Sequence, residues 1–177
     1  MLYEYNQLAF DDYEKKEQIQ KQLFGSIRKD IQILAPFRCD YGTNIYIGDH
    51  FFANYDCIML DVTLIEIGDH VLFGPRVVIY TPSHPLDEEV RSTGLEFGKT
   101  VKIGNNVWIG ANTIVNPGVT IGDNTVIGSG SVVTKNIPAN VTALGNTCRV
   151  IRENSDKEKQ AWKELQKDYE KESGIHF

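Results

Sequence analysis

Histidine is the residue of this chain best suited to acid–base chemistry, because an imidazole titrates near neutral pH. Of the four histidines, His84 stands out, since it lies in the segment Tyr80–Asp87, where a regular repeat is interrupted. His50 and His70 follow equivalent Gly-Asp pairs, where we expect solvent-facing side chains, and His176 lies in the tail. His84 is therefore the first histidine to consider for acid–base chemistry, although an ordinary histidine of a surface loop is the alternative interpretation.

A small basic cluster is the second chemical feature. Lys135, Arg149 and Arg152 gather near the end of the regular repeats, on a chain whose net charge is −6. Lysine and arginine bind phosphate groups through charge-assisted hydrogen bonds. The cluster is compatible with a ligand that carries phosphates, and ordinary solvated charges are the alternative interpretation.

The element that must position these residues is a repeat of six. Aliphatic side chains recur at Ile103, Ile109, Val115, Ile121, Ile127 and Val133, and glycine follows four of them. A period of six is typical of a parallel β-helix, in which each hexapeptide is a short strand plus a corner. Three hexapeptides make one coil of a triangular prism, and several coils must stack to bury their inner faces. An earlier run is out of phase, which predicts an irregularity near Val62–Glu66.

The fold class that we expect is all-β, with additions at both ends and one excursion. Residues 7–29 carry apolar positions that suit a short surface helix. A segment at about 81–100 breaks the repeat and predicts a loop that leaves the prism. Trp162, Leu165 and Tyr169 are spaced for one face of a charged C-terminal helix. The predicted segments are 1–40 (helical and lead-in), 41–152 (β-helix) and 153–177 (C-terminal helix).

Composition excludes several classes of protein. The chain has 177 residues, 41% of them hydrophobic, which fits one domain with a core. Its negative charge argues against a surface for nucleic acid or anionic membrane. No apolar stretch of about 18 residues and no signal peptide are visible. Three cysteines without metal-ligand spacing predict reduced thiols in the cytoplasm, with neither a metal site nor a thiol nucleophile.

Nine short segments follow one another in a characteristic order. They are Cys39–Gly48, Phe51–Asn54, Leu60–Asp61, Ile79–Pro85, Gly98–Lys99, Val107–Gly110, Asn116–Gly122, Ile127–Lys135 and Gly145–Arg152. Together they resemble the maltose/galactoside O-acetyltransferase family, over residues 1 to about 152. The resemblance implies a left-handed β-helix, acetyl-CoA as co-substrate with no metal, and a homotrimer whose active sites lie between subunits.

The resemblance also implies roles for individual residues. His84 matches the catalytic histidine, and Asn54 matches the asparagine that helps to stabilise the transition state. The positions that line the acceptor site are Asp40, Asp61 and Glu96. The positions along the coenzyme A groove are Trp108, Ala111, Ser129, Thr134, Lys135, Arg149 and Arg152. These roles suit the chemistry, because a base must remove a proton from a sugar hydroxyl before it attacks a thioester, and a donor must then stabilise the oxyanion.

Other functions remain open on the sequence alone. An acetyltransferase for serine, an amino sugar or an antibiotic would share fold and donor, and the loop Ser83–Gly98 would discriminate among these acceptors. A prism-fold carbonic anhydrase would need three histidine ligands with a closely spaced pair, which is lacking. A non-catalytic assembly scaffold would show no affinity for acetyl-CoA. The family usually carries a helical segment before the run at Leu2–Asn6, so we expect a more open acceptor site.

Overall fold

Three parallel sheets wrap around one apolar interior and form a β-solenoid of about six coils. The computed structural model describes residues 1–176. Sheet I contains β1 (Ser26–Ile27), β4 (Ile45–Ile47), β7 (Ile65–Ile67), β12 (Val101–Ile103) and β15 (Thr120–Ile121). Sheet II contains β2 (Gln32–Ile33), β5 (Phe52–Ala53), β8 (Leu72–Phe73), β13 (Trp108–Ile109), β16 (Val126–Ile127), β18 (Val141–Leu144) and the antiparallel β19 (Arg149–Glu153). Sheet III contains β3 (Phe37–Cys39), β6 (Cys57–Leu60), β9 (Val78–Tyr80), β14 (Ile114–Val115) and β17 (Val132–Val133). The predicted β-helix is confirmed.

The register of the ladders follows the sequence repeat. Ile103 pairs with Ile121, eighteen positions further on, which is three hexapeptides. Ile47 pairs with Ile67, twenty positions further on, so the corner between β6 and β7 holds two more residues than a regular coil. The irregularity expected near Val62–Glu66 is this corner. Because the six-residue step keeps one side chain per strand pointing inward, Ile and Val stack along the whole interior.

The first coil begins earlier than the sequence boundary at residue 40. The strands β1, β2 and β3 already pair with the second coil, so residues 26–39 belong to the column and not to a lead-in. Ile27, Ile33 and Cys39 keep the step of six, but no glycine follows them, which hides this coil in the sequence. At the other end, β18 pairs in parallel with β16 and extends the column to Leu144.

Short helices cover the first coil. α2 (Tyr13–Leu23) lies within residues 7–29, where the sequence predicts a helix, and α1 (Leu2–Tyr5) precedes that range. The Tyr5 hydroxyl donates to the carbonyl of Ile33 at 2.6 Å, and the Gln20 amide donates to that hydroxyl at 2.9 Å. Ile19 and Leu23 are buried against the coil. These contacts close the apolar interior at this end.

The C-terminal helix, α4 (Asp156–Ser173), has no buried residue. Ser155 and Glu158 form a capping box at its start, which satisfies backbone N–H groups of the first turn. Its apolar stripe is exposed, with Trp162 at 71% and Leu165 at 56%. Neither α4 nor any other helix of residues 1–176 combines the length and the apolar character that a bilayer crossing demands.

An arm leaves the column between β9 and β12, at the interruption that the sequence predicts. Its two strands, β10 (Pro82–Ser83) and β11 (Phe97–Gly98), form an antiparallel pair. α3 (Glu88–Ser92) lies between them, and the Asp87 carboxylate caps it by accepting from the Val90 N–H at 2.9 Å. The arm returns to the column through a hydrogen bond from the Lys99 N–H to the carbonyl of Thr81.

Candidate active site

The His84 imidazole is held by the arm in one tautomer. Its Nδ1 lies 2.9 Å from the carbonyl oxygen of Leu95. A carbonyl only accepts, so Nδ1 carries the proton and Nε2 presents its lone pair. The Glu96 carboxylate is 3.8 Å from Nε2, too long for a hydrogen bond but close enough to stabilise an imidazolium by charge. An exposed imidazole with a free Nε2 and an adjacent carboxylate is suited to accept a proton.

Asp61 is buried next to the site and holds a neighbouring turn in place through hydrogen bonds. Its side chain is fully buried, and its carboxylate accepts hydrogen bonds from the backbone N–H groups of Asp40, Tyr41 and Asn44, at 3.0, 2.9 and 3.2 Å. A carboxylate with three backbone donors fixes the turn that carries Asp40. Asp61 therefore positions its neighbours, whereas Asp40 is exposed and able to face a ligand.

Neighbouring negative charges change the pKa values of groups in this region. Asp40 is exposed, yet partial desolvation, followed by the negative charges of Asp61 and Glu96, raises the pKa of its carboxyl group. Burial raises the pKa of the nearby Cys39 thiol to about 12, with further contributions from Asp61 and Asp40. A thiol in this state is not a nucleophile at neutral pH.

The edge between sheets II and III is lined by small residues. Gly74 and Gly110 are packed so tightly that an added Cβ would lie 2.7 Å from the Ala111 nitrogen and 2.6 Å from the Ser129 nitrogen, respectively. Asn54 lies on the same edge, directly after β5. The Asn54 side-chain oxygen accepts from the Tyr55 N–H at 2.8 Å, which leaves its NH₂ group to donate elsewhere. This edge therefore combines small residues with polar groups that are able to donate hydrogen bonds.

Asn54 and His84 lie on different edges of one column. Asn54 follows a strand of sheet II, whereas His84 follows β9 of sheet III, so sheet III separates them. The acceptor candidates Asp40, Asp61 and Glu96 lie on the His84 side. The coenzyme candidates Ala111 and Ser129 lie on the Asn54 side. The predicted site residues of one chain are thus divided between two edges of the column.

The remaining coenzyme candidates are exposed and dispersed. Trp108 projects from the outer face of sheet II and is 54% exposed. Thr134 and Lys135 follow β17 of sheet III, on the same side as His84. Arg149 and Arg152 lie on β19, where Arg152 pairs with Glu158 of α4 at 2.6 Å. Lys135 therefore follows a strand of sheet III, whereas Arg149 and Arg152 lie on a strand of sheet II.

Two features of the site have no signature in the sequence. The Leu95 carbonyl that fixes the His84 tautomer is a backbone group, which any residue supplies. The pairing of Arg152 with Glu158 depends on where α4 starts.

In residues 1–176, no three side chains of His, Cys, Asp or Glu converge as ligands for a metal ion.

Comparison with known proteins identifies the family. Residues 100–135 match the family model described as bacterial transferase hexapeptide (six repeats). The chain is 43% identical to the galactoside O-acetyltransferase of Escherichia coli K12, over 99% of this chain and 85% of that protein. It is 50% identical to the putative acetyltransferase YJL218W of Saccharomyces cerevisiae, over 89% of this chain and 80% of that protein.

The chain belongs to the maltose/galactoside O-acetyltransferase family. The resemblance inferred from its segments is confirmed, and the protein is an acyltransferase. Among solved structures, the maltose O-acetyltransferase from Clostridium difficile 630 is similar, with 56% identity, a TM-score of 0.86, and coverage of 88% of this chain and 83% of that one.

Structures of family members contain the expected co-substrate. A galactoside acetyltransferase in complex with coenzyme A has 44% identity and a TM-score of 0.87, covering 89% of this chain and 79% of that one. A hexapeptide-repeat acetyltransferase from Vibrio cholerae, in complex with acetyl coenzyme A, has 39% identity and a TM-score of 0.81, covering 88% and 84%. Acetyl-CoA is thus the co-substrate of this O-acetyltransferase family.

Proposed function

We propose that this protein transfers an acetyl group from acetyl-CoA directly to a hydroxyl of a sugar or sugar-like acceptor. The observation that carries the proposal is His84, whose Nε2 lone pair is made available by the bond between Nδ1 and Leu95. The names of the related enzymes, which specify galactoside and maltose, support a sugar acceptor.

In the proposed reaction, Nε2 of His84 takes the proton of the acceptor hydroxyl as its oxygen attacks the thioester carbonyl. The imidazolium that forms is stabilised by the Glu96 carboxylate, 3.8 Å away. The same proton is then available to the leaving sulfur. A thioester has a good leaving group, so the reaction proceeds without a covalent enzyme intermediate. The raised pKa of Cys39 and the burial of Cys57 support this direct route.

The developing oxyanion needs donors, and the II–III edge supplies them. The Asn54 NH₂ group is free to donate, as its oxygen is already bonded to Tyr55. In residues 1–176 the N–H groups of Ala111 and Ser129 make no hydrogen bond, so they are able to bind amide carbonyls of the pantetheine arm. Such preorganised donors are a large source of transition-state stabilisation.

Because the His84 half and the Asn54 half lie on different edges, we propose a homotrimer in which neighbours share each site. Contact between sheet III of one copy and sheet II of the next would bring the two edges together. Lys135 of one copy would then join Arg149 and Arg152 of another around the phosphates of coenzyme A, with Trp108 and Thr134 beside the groove. The unpaired thiols Cys39, Cys57 and Cys148 support placement in the cytoplasm.

Replacement of the base tests this function. We expect His84→Ala to fold normally, since the side chain is exposed, and to lose acetyl transfer by roughly two to four orders of magnitude. The assay is release of free thiol from acetyl-CoA over a panel of galactosides, maltose, amino sugars and serine. His50→Ala is the matched control, because His50 lies on another edge of the column. Full activity of His84→Ala would refute the assignment of the base.

A further inference from the structure

The acceptor side of the site collects three negative charges. Asp61 is fixed by three backbone N–H groups, one of them from Asp40, so these two carboxyl groups lie on neighbouring turns of one edge. Glu96 reaches the same region on the arm, beside His84. Glu96 is therefore next to Nε2, and Asp40 and Asp61 lie close enough to influence the same region electrostatically.

The arm is tied to this edge by direct contacts. The Thr63 N–H donates to the Thr81 hydroxyl at 3.0 Å, and Gly98 packs so closely on Thr63 that an added Cβ would lie 2.6 Å from its methyl carbon. Glu96 is two residues from Gly98, and Asp61 is two residues from Thr63. The raised pKa of Asp40, for which the charges of Asp61 and Glu96 are causes after desolvation, agrees with this proximity.

No basic side chain balances these charges within one chain. Over residues 1–176, no lysine or arginine nitrogen lies within 4 Å of the carboxylates of Asp40, Asp61 or Glu96. The one cationic partner that Glu96 has in this part of the protein is His84, and His84 must be neutral to act as a base. The contribution of one chain to the acceptor region is therefore negative when His84 is neutral.

We infer, resting on the proposed function, that the acceptor site selects by charge. Acceptors that carry a protonated amine near the reacting sugar are preferred over neutral ones, and acceptors that carry a carboxylate or phosphate are rejected. Like charges in a partly desolvated cleft repel, and an ammonium group finds carboxylates that lack another partner. Asp40 and Glu96 are the specificity-determining residues, because they are exposed, whereas Asp61 is occupied by backbone donors.

The test uses three acceptors that share one sugar and all its hydroxyls. These are 2-aminoethyl, ethyl and carboxymethyl β-galactoside, compared by kcat/KM at low salt, with O-acetylation verified by sensitivity of the product to hydroxylamine. We expect kcat/KM to be highest for the amine, intermediate for the neutral acceptor and lowest for the carboxylate. The ratio of the highest to the lowest kcat/KM, called the spread below, should be about tenfold and should fall as salt is added. Glu96→Gln also affects the imidazolium, but this effect is common to all three acceptors and cancels in the ratio.

Asp40→Asn and Glu96→Gln should each narrow the spread by about threefold. Glu66→Gln, on the outer face of sheet I, is the matched control and should leave the spread unchanged. Turnover of all three acceptors at equal kcat/KM, or a spread that survives in both variants, would overturn the charge selectivity alone. Absence of thiol release with every acceptor would overturn the proposed function and, with it, this inference.

Discussion

The outer surface of sheet I differs from the outer surfaces of sheets II and III, although all three share one apolar interior. On sheet I the outward side chains form a polar ladder of Ser26, Tyr46, Glu66, Lys102 and Thr120. Glu66 and Lys102 pair at 2.6 Å. Such a polar surface is stable when it is exposed to solvent.

The other two faces present ladders that are mostly apolar. On sheet II the outward residues are Gln32, Phe52, Leu72, Trp108, Val126 and Thr142. On sheet III they are Arg38, Ile58, Val78, Ile114 and Val132. Contiguous apolar surface of this kind marks an interaction site. These two faces flank the edge that carries Asn54, so the surface that favours assembly and the half-site that needs completion coincide.

The largest effect should follow from a charge placed in the middle of the sheet III ladder. Val78→Glu points outward, so we expect the column to fold, the assembly to dissociate, and acetyl transfer to fall by about two orders of magnitude or more, because a buried unpaired charge disfavours the contact. Sedimentation analysis and thiol release measure both outcomes.

The matched control for this variant lies on the polar face. Thr120→Glu adds the same charge beside Lys102, and both assembly and activity should be retained. A Val78→Glu protein that stays assembled and active would mean that sheet III does not mediate the contact between copies.

A smaller effect should come from the basic residues. Lys135→Ala should raise the KM for acetyl-CoA about tenfold and leave the KM for the acceptor unchanged, since a charge-assisted hydrogen bond to phosphate is lost. The corresponding change on the polar face, Lys102→Ala, should alter neither constant. If Lys135→Ala and Lys102→Ala had the same KM for acetyl-CoA, Lys135 would not be a coenzyme-binding residue.

The sequence predicts the column better than it predicts the site. The regular step from Ile103 to Val133 is sufficient to define the coils, because each inward position must be apolar. The first coil is hidden, since the corners after Ile27 and Ile33 lack glycine. The tautomer of His84 depends on the Leu95 carbonyl, and carbonyls are the same in every residue. The separation of Asn54 from His84 depends on which sheet each strand joins, which the period alone does not specify.

The division of the site between two edges is tested most directly by mixing two inactive proteins. His84→Ala and Asn54→Ala each damage one half, and the loss of an oxyanion donor should reduce activity by roughly two to three orders of magnitude. After dissociation and reassembly at equal amounts, about a quarter of the sites should combine an intact His84 with an intact Asn54 from a neighbour. Recovery of acetyl transfer to about that fraction of wild-type activity is the result that we predict. A mixture no more active than its components would contradict a site shared between copies.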